Sequence, residues 1–103
     1  CSRPKNQAVP GGDAALGKIA LVHYGCGACH AIPGVRSAIG DVGPTLAGIA
    51  GRSMIAGIAS NTPDELVRWI MVPQSMSPGN AMPNLGVSDG DARNIAAYLY
   101  TLH

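Results

Sequence analysis

The chain has 103 residues, which suits one domain, and its formal net charge of +1 comes without any basic stretch of the kind that binds nucleic acid. No apolar run reaches the roughly 18–20 residues that cross a bilayer, and three cysteines are too few for a disulfide framework. With one Trp, three Tyr and no Phe, the chain is short of large core side chains, so we expect a cofactor or metal to complete the core.

The N-terminal part divides into an arm and a first helix. Residues 1–11 are polar and contain two prolines, which predicts a flexible arm or tether ahead of a domain over residues 12–103. A helix is predicted from Asp13, whose negative charge suits the positive end of a helix dipole. Apolar side chains follow at helical spacing, and Gly25 is a typical terminating residue.

The middle of the chain predicts a loop followed by a second helix. Residues 31–61 are rich in Gly and Ala and have weak periodicity, so we predict a loop with a short helix around residues 45–50. Thr62 is a suitable N-cap, and a proline follows at the first helical position. Glu65 completes a capping-box pattern, and Pro73 ends the helix.

The last third of the chain predicts an irregular loop and a third helix. Residues 73–87 contain three prolines and two glycines, and Ser88 then caps a helix with Asp89 and Asp91 in its first turn. The apolar stripe of that helix consists of Ala92, Ile95, Ala96 and Leu99. No segment shows strand alternation, so the predicted fold class is all-α, with three main helices plus short helical turns.

One motif carries chemistry: Cys26-Gly27-Ala28-Cys29-His30 has the C-x-x-C-H spacing at which haem c is attached. Two thiols three positions apart on a helical turn can each reach one vinyl group on the same edge of a porphyrin. The adjacent histidine then lies under the ring centre, where its imidazole can ligate iron. We interpret the small Gly27 and Ala28 as leaving the ring edge unobstructed.

Two other interpretations of the motif stay open at this point. A zinc site would need a fourth ligand, for which His23 is a candidate. A thioredoxin-like redox pair would need a strand before the motif, and the pattern there is helical.

A second axial ligand has to come from elsewhere in the chain. The candidates are Met54, Met71, Met76, Met82, His23 and His103. Met71 falls in a predicted helix, where methionine commonly fills the core. Met76 and Met82 share the irregular loop, and Pro83 fixes the backbone beside Met82.

The sequence resembles the class I cytochromes c, of bacterial and mitochondrial type, from about Gly12 to Leu102. The matching pieces occur in the family's order: the C-x-x-C-H motif, Gly43-Pro44-Thr45-Leu46, Gly51-Arg52, Pro78-Gly79-Asn80-Ala81-Met82-Pro83, and Asn94-Ile95-Ala96-Ala97-Tyr98-Leu99. The resemblance implies a small cytochrome c fold wrapped around one haem c, which is attached covalently through Cys26 and Cys29.

The resemblance also implies roles for individual residues. His30 and Met82 are the implied axial ligands, and Met82 is preferred over Met76. Pro44 matches the proline whose carbonyl accepts the proton of the ligating imidazole, which fixes the tautomer and ring orientation.

Three further contacts are implied in the same way. Arg52 matches an arginine near a haem propionate, and Trp69 matches an aromatic residue on the methionine side of the haem. Gly17 and Tyr98 match the contact between the first and last helices. The chain differs from better-known members in having only two lysines, so the resemblance does not extend to a docking surface ringed by lysines.

The implied function is single-electron transfer in a respiratory or related chain, without enzyme activity. The partners would be redox proteins such as a quinol-oxidising complex and a terminal oxidase or other acceptor. The alternative is a haem peroxidase or gas-sensing domain with a displaceable sixth ligand.

We expect a location on the periplasmic or extracytoplasmic face of a bacterial membrane. Cys1 lies outside the haem motif, at the end of the polar arm. It resembles the first residue of a bacterial lipoprotein after signal removal, so we expect lipid on Cys1 to attach the arm to the membrane. An artificial chain boundary and an intermolecular disulfide are the other interpretations of this cysteine.

Overall fold

The computed structural model describes residues 9–103, and within them the predicted all-α class is confirmed. The helices are α1 (Ala14–His23), α2 (Pro63–Met71), the single-turn α3 (Pro73–Met76) and α4 (Asp89–Leu99). Short 3₁₀ turns cover Cys26–Ala28 and Ile49–Gly51, and β1 (Met54–Ile55) pairs with β2 (Ala59–Ser60) in an antiparallel hairpin. The predicted lipid attachment site, Cys1, lies outside the described residues. So does the predicted arm over residues 1–11, apart from residues 9–11.

Helix α1 begins and ends where the sequence predicts. The Asp13 carboxylate accepts a hydrogen bond from the backbone amide of Leu16 at 3.1 Å, which caps the first turn. Tyr24 is the C-cap, and Gly25 follows with φ of 76°, a left-handed conformation that glycine adopts without strain.

Helices α1 and α4 cross at Gly17. A Cβ atom there would overlap the backbone carbonyl oxygen of Asn94, so only glycine permits this approach. The Tyr98 hydroxyl donates to the backbone carbonyl of Pro33 at 2.6 Å. Gly17 therefore lies at the predicted crossing. Tyr98 holds α4 to the loop that follows the C-x-x-C-H motif.

The predicted capping box of α2 forms only in half. Thr62 Oγ1 accepts from the Glu65 amide at 3.3 Å, as predicted. The Thr62 amide donates instead to the Ser60 carbonyl at 2.9 Å, and the Glu65 carboxylate lies 3.9 Å from the Arg68 guanidinium. The hairpin that ends at Ser60 thus supplies the bond that the sequence assigned to Glu65.

That hairpin is too short for alternation to reveal it. Ala56 and Gly57 both have positive φ, at 51° and 72°, and the Ile58 amide donates to the Ile55 carbonyl at 2.9 Å. Consecutive left-handed residues are typical of turns that close β-hairpins.

The apolar stripe of α4 forms the centre of the core, as predicted. Ala92, Ile95, Ala96 and Leu99 are all buried, and they pack with buried residues of α1 and α2 such as Leu21 and Leu66. Among the described helices, none is long and apolar enough to cross a membrane.

Tyr100 ties this core to the middle of the chain. It is fully buried, and its hydroxyl donates to Asn61 Oδ1 at 2.7 Å. The amide nitrogen of Asn61 in turn donates to the carbonyls of Ile49 and Arg52 at 2.9 and 2.8 Å. Burial raises the pKa of Tyr100 to about 12, so the phenol stays protonated up to strongly alkaline pH.

Candidate functional site

A largely apolar cleft of about 430 Å³ opens between the segment after α1, the segment around the hairpin, α2 and the loop before α4. Its lining includes the motif residues and the further site residues that the family resemblance implied: Cys26, Cys29, His30, Pro44, Arg52, Trp69 and Met82. These residues lie up to 56 positions apart in sequence (26 to 82), and the fold brings them to one place.

Both cysteines of the motif are half-buried at the cleft, on a turn that follows directly from α1. The Cys29 and His30 amides donate to the Cys26 carbonyl at 3.3 and 3.1 Å, which closes a tight turn. The thiols are not joined in a disulfide. Burial raises the pKa of the Cys26 thiol, so it remains neutral at neutral pH.

Gly27 is required for a different reason from the one the sequence suggested. A Cβ atom there would come within 2.6 Å of the Ala38 Cα, and the Gly27 carbonyl accepts from the Gly40 amide at 3.1 Å. Neither Gly27 nor Ala28 lines the cleft. The small side chains let the motif pack against residues 38–40 behind it.

The imidazole of His30 is oriented by two neighbours. Its Nδ1 lies 2.8 Å from the Pro44 carbonyl oxygen, which can only accept, so Nδ1 carries the proton and the lone pair of Nε2 is available for a metal. On the same side, a Cβ atom on Gly43 would come 2.7 Å from Nδ1. Gly43 therefore leaves the room that the ring occupies.

Of the four methionines, two line the cleft: Met82 and Met54. Met76 and Met71 are half-buried elsewhere, and Met71 packs against the core, where the sequence predicted filler. His23 lines a separate surface groove between α1 and α4. Met54, in β1, is therefore the other candidate thioether at the cleft.

Arg52 carries the only full charge among the described residues that line the cleft. Its guanidinium donates from Nη2 to the carbonyls of Thr45 and Ala47, at 2.6 and 3.0 Å, which holds it beside the Pro44 segment. A lone, oriented guanidinium in apolar surroundings is suited to pair with a carboxylate. Trp69 reaches the cleft from α2 and is half-buried.

The structure does not favour the two alternative interpretations of the motif. Within residues 9–103 there is no group of three or more His, Cys, Asp and Glu side chains placed to hold a metal, and His23 is not at the cleft. A zinc site made only of such ligands therefore lacks its cluster. The element before the motif is helix α1 rather than the strand of a thioredoxin-like pair.

Comparison with known proteins decides the family. A family model described as cytochrome c matches residues 14–103. The chain belongs to the cytochrome c family. This confirms the resemblance read from the sequence, and it implies a covalently bound haem c and haem-based electron transfer.

Relatives within the family are of two kinds. The chain is 35% identical over 104 residues to a cytochrome c2 of Agrobacterium tumefaciens, with 85% of this chain and 90% of that protein covered. It is also 37% identical over 78 residues to cytochrome c oxidase subunit 2 of Alkalihalophilus pseudofirmus, covering 75% of this chain. For subunit 2 of Bacillus sp. strain PS3 the identity is 35% over 65 residues, or 61% of this chain. The chain spans only 22% and 18% of the lengths of these two oxidase subunits.

The residues at the cleft fit a cytochrome c haem. The mainly apolar space is surrounded by two unpaired thiols at the attachment spacing and by an imidazole whose Nδ1 proton is fixed. A thioether and one guanidinium complete the set. Gly43 and Asn80 belong to the pieces that match the family, but no role was predicted for them or for Gln74. In the structure Gly43 leaves room for the His30 ring, and the side chains of Gln74 and Asn80 hold the loop containing Met82.

Proposed function

We propose that the chain is a single-electron carrier that holds one haem c through thioethers to Cys26 and Cys29, with His30 and Met82 as axial ligands. The observation that carries the proposal is the 2.8 Å contact between His30 Nδ1 and the Pro44 carbonyl, because it leaves Nε2 free to bind iron at the same cleft as both thiols. When bound, the haem supplies an iron that alternates between ferrous and ferric states.

The residues around the cleft suit electron transfer without substrate chemistry. With His30 and Met82 both holding the iron, no coordination site would remain open for a substrate. The soft thioether of Met82 would favour ferrous iron and so raise the reduction potential. Apolar lining residues such as Leu66 and Ile70 exclude water and disfavour the additional charge of the ferric state. The Arg52 guanidinium is suited to neutralise a haem carboxylate.

The proposed setting is a respiratory or related electron-transfer chain. Cytochrome c domains are typically extracytoplasmic in bacteria, and we place this one on the periplasmic or extracytoplasmic face of the membrane. Two of its relatives are named cytochrome c oxidase subunit 2, which supports a terminal oxidase as acceptor. A quinol-oxidising complex is the matching donor.

The ligand assignment is tested by replacing each methionine at the cleft in turn. Met82→Ala should lower the reduction potential. It should also let the ferric protein bind cyanide rapidly and the ferrous protein bind carbon monoxide rapidly. Met54→Ala and Met76→Ala are the matched controls and should keep the wild-type spectrum. The proposal fails if Met54→Ala, rather than Met82→Ala, opens the iron to these ligands. Rapid carbon monoxide binding by the unmodified protein would instead favour the gas-sensing or peroxidase alternative.

A further inference from the structure

The backbone of Met82 is held at both of its polar groups by side-chain amides. Its N–H donates to Asn80 Oδ1 at 2.6 Å, and its carbonyl accepts from Gln74 Nε2 at 2.8 Å. Both of these side chains are half-buried. Met82 lies in the stretch between α3 and α4, which has no regular structure of its own.

The Gln74 side chain uses its amide in a way that fixes its orientation. Nε2 donates to the carbonyls of Met82 and Asn80, each at 2.8 Å, while Oε1 accepts from the Gly79 amide at 3.0 Å. Exchanging oxygen and nitrogen would set an acceptor against two carbonyls and a donor against an N–H. The arrangement therefore works in one orientation only.

Asn80 connects the same loop to α3. Its Nδ2 donates to the carbonyl of Pro73 at 3.2 Å and to that of Ser77 at 2.6 Å, while its Oδ1 holds the Met82 amide. The Gln74 backbone amide donates to Asn84 Oδ1 at 3.1 Å, beyond Met82 in the chain. Together these bonds tie residues on both sides of Met82 to the single turn of α3.

We infer that Gln74 and Asn80 are positioning residues that keep Met82 at the cleft and slow its displacement from iron by other ligands. The inference rests on the proposed function, because it requires Met82 to be an axial ligand. For an external ligand to replace Met82, the loop must move away, and that movement breaks the amide bonds to Met82. Residues that only stabilised the fold would have no specific effect on this local opening.

The test measures how fast cyanide displaces the native ligand of the ferric holoprotein. At saturating cyanide the rate becomes independent of cyanide concentration and equals the rate of loop opening. Gln74→Glu keeps the size of the side chain and its acceptor on Gly79 but removes both donated bonds. Asn80→Ala removes the acceptor for the Met82 amide. Ser75→Ala, an exposed neighbour on α3, is the control.

Both amide variants should raise the limiting rate by about tenfold, the factor expected when one or two partly buried hydrogen bonds are lost. Ser75→Ala should leave the rate unchanged. Amide hydrogen exchange gives a second readout. Asn80→Ala should speed exchange at the Met82 N–H, because it removes the acceptor of that group. Gln74→Glu should change exchange at the Gly79 N–H much less, because the acceptor is kept. If Asn80→Ala does not assemble with haem, Gln74→Glu decides the matter.

Wild-type limiting rates in Gln74→Glu and Asn80→Ala would overturn the inference. A shift of the urea midpoint alone, with an unchanged limiting rate, would also overturn it, because that result indicates a general structural role. Met82→Ala separates this failure from failure of the proposed function. If Met82→Ala itself bound cyanide no faster than the wild type, the ligand assignment would be wrong.

Discussion

The two walls of the cleft are held in place by different kinds of hydrogen bond. The His30 wall, residues 26–46, is held mainly by hydrogen bonds between backbone groups. For example, the Gly43 amide donates to the Cys29 carbonyl at 2.7 Å, and the Gly40 amide donates to the Gly27 carbonyl at 3.1 Å. The Met82 wall, residues 73–87, relies on the side-chain amides of Gln74 and Asn80.

This difference determines which substitutions each wall can tolerate. At the His30 wall, glycines permit close approach, so an added side chain should be harmful. Apart from Cys26, Cys29 and His30 themselves, a lost side chain should matter less there. At the Met82 wall the bonds come from side chains, so removing a side chain should be harmful. The His30 wall is thus expected to stay fixed while the Met82 wall opens first.

The largest effect on stability should come from adding a methyl group at the His30 wall. Gly43→Ala would place Cβ 2.7 Å from His30 Nδ1, so the ring or the backbone has to move. We expect a loss of about 3 kcal/mol in the free energy of unfolding, the upper range for overpacking. Urea unfolding of the holoprotein, followed by circular dichroism, measures it.

Gly51→Ala provides the matched control, because a Cβ at Gly51 meets no atom within 4 Å. Its effect should stay within about 0.5 kcal/mol. Equal losses in Gly43→Ala and Gly51→Ala would show that the approach of His30 to Gly43 is not what constrains this wall.

An intermediate effect is expected at Tyr100, which lies outside both walls and gives a reference for an ordinary buried bond. Tyr100→Phe removes the hydroxyl that donates to Asn61 Oδ1 and should cost about 1–2 kcal/mol at neutral pH. Because the pKa of Tyr100 is raised from 10.0 to about 12 in the folded state, the unfolded chain loses this proton first. This stabilising contribution is present below pH 10 and is lost as pH rises towards about 12.

Urea unfolding at a series of pH values measures this contribution as the difference between the wild type and Tyr100→Phe. That difference should shrink as the pH rises from 10 to 12. A difference that stays constant over this range would contradict the assigned role of Tyr100 burial.

The smallest effect is expected for Pro44→Ala. The contact with His30 Nδ1 uses the backbone carbonyl of Pro44, which alanine also has. The reduction potential should stay unchanged, and stability should fall by at most about 1 kcal/mol through greater freedom of the unfolded chain. A protein film electrode measures the potential. If Pro44→Ala lowered the reduction potential as much as Met82→Ala, the proline ring itself would be what positions His30.

Features set by residues close together in the chain could be predicted from the sequence. The C-x-x-C-H motif, the caps at Asp13 and Ser88 and the stripe of α4 are local patterns, and the structure has them as predicted. The cleft also contains the site residues that the family resemblance named, although their roles stay predictions. Local spacing and family order were sufficient for these features.

The remaining features depend on contacts between distant backbones. The reason for Gly27 lies at Ala38, and the second half of the α2 capping box was replaced by a bond from Thr62 to Ser60. Pro73 ends α2 but also begins α3, because proline suits the first turn of a helix. Gln74 and Asn80 look like ordinary loop amides, since their partners are carbonyls that only the folded loop brings together.

A redox titration of the purified holoprotein, followed by its absorption spectrum, tests the central claim most directly. We predict a single one-electron transition of a covalently held haem, with histidine and methionine ligation present in both the oxidised and the reduced protein. Haem that is removed by acid-acetone extraction, or a spectrum that lacks the methionine ligand in either oxidation state, would contradict the assignment of Cys26, Cys29, His30 and Met82.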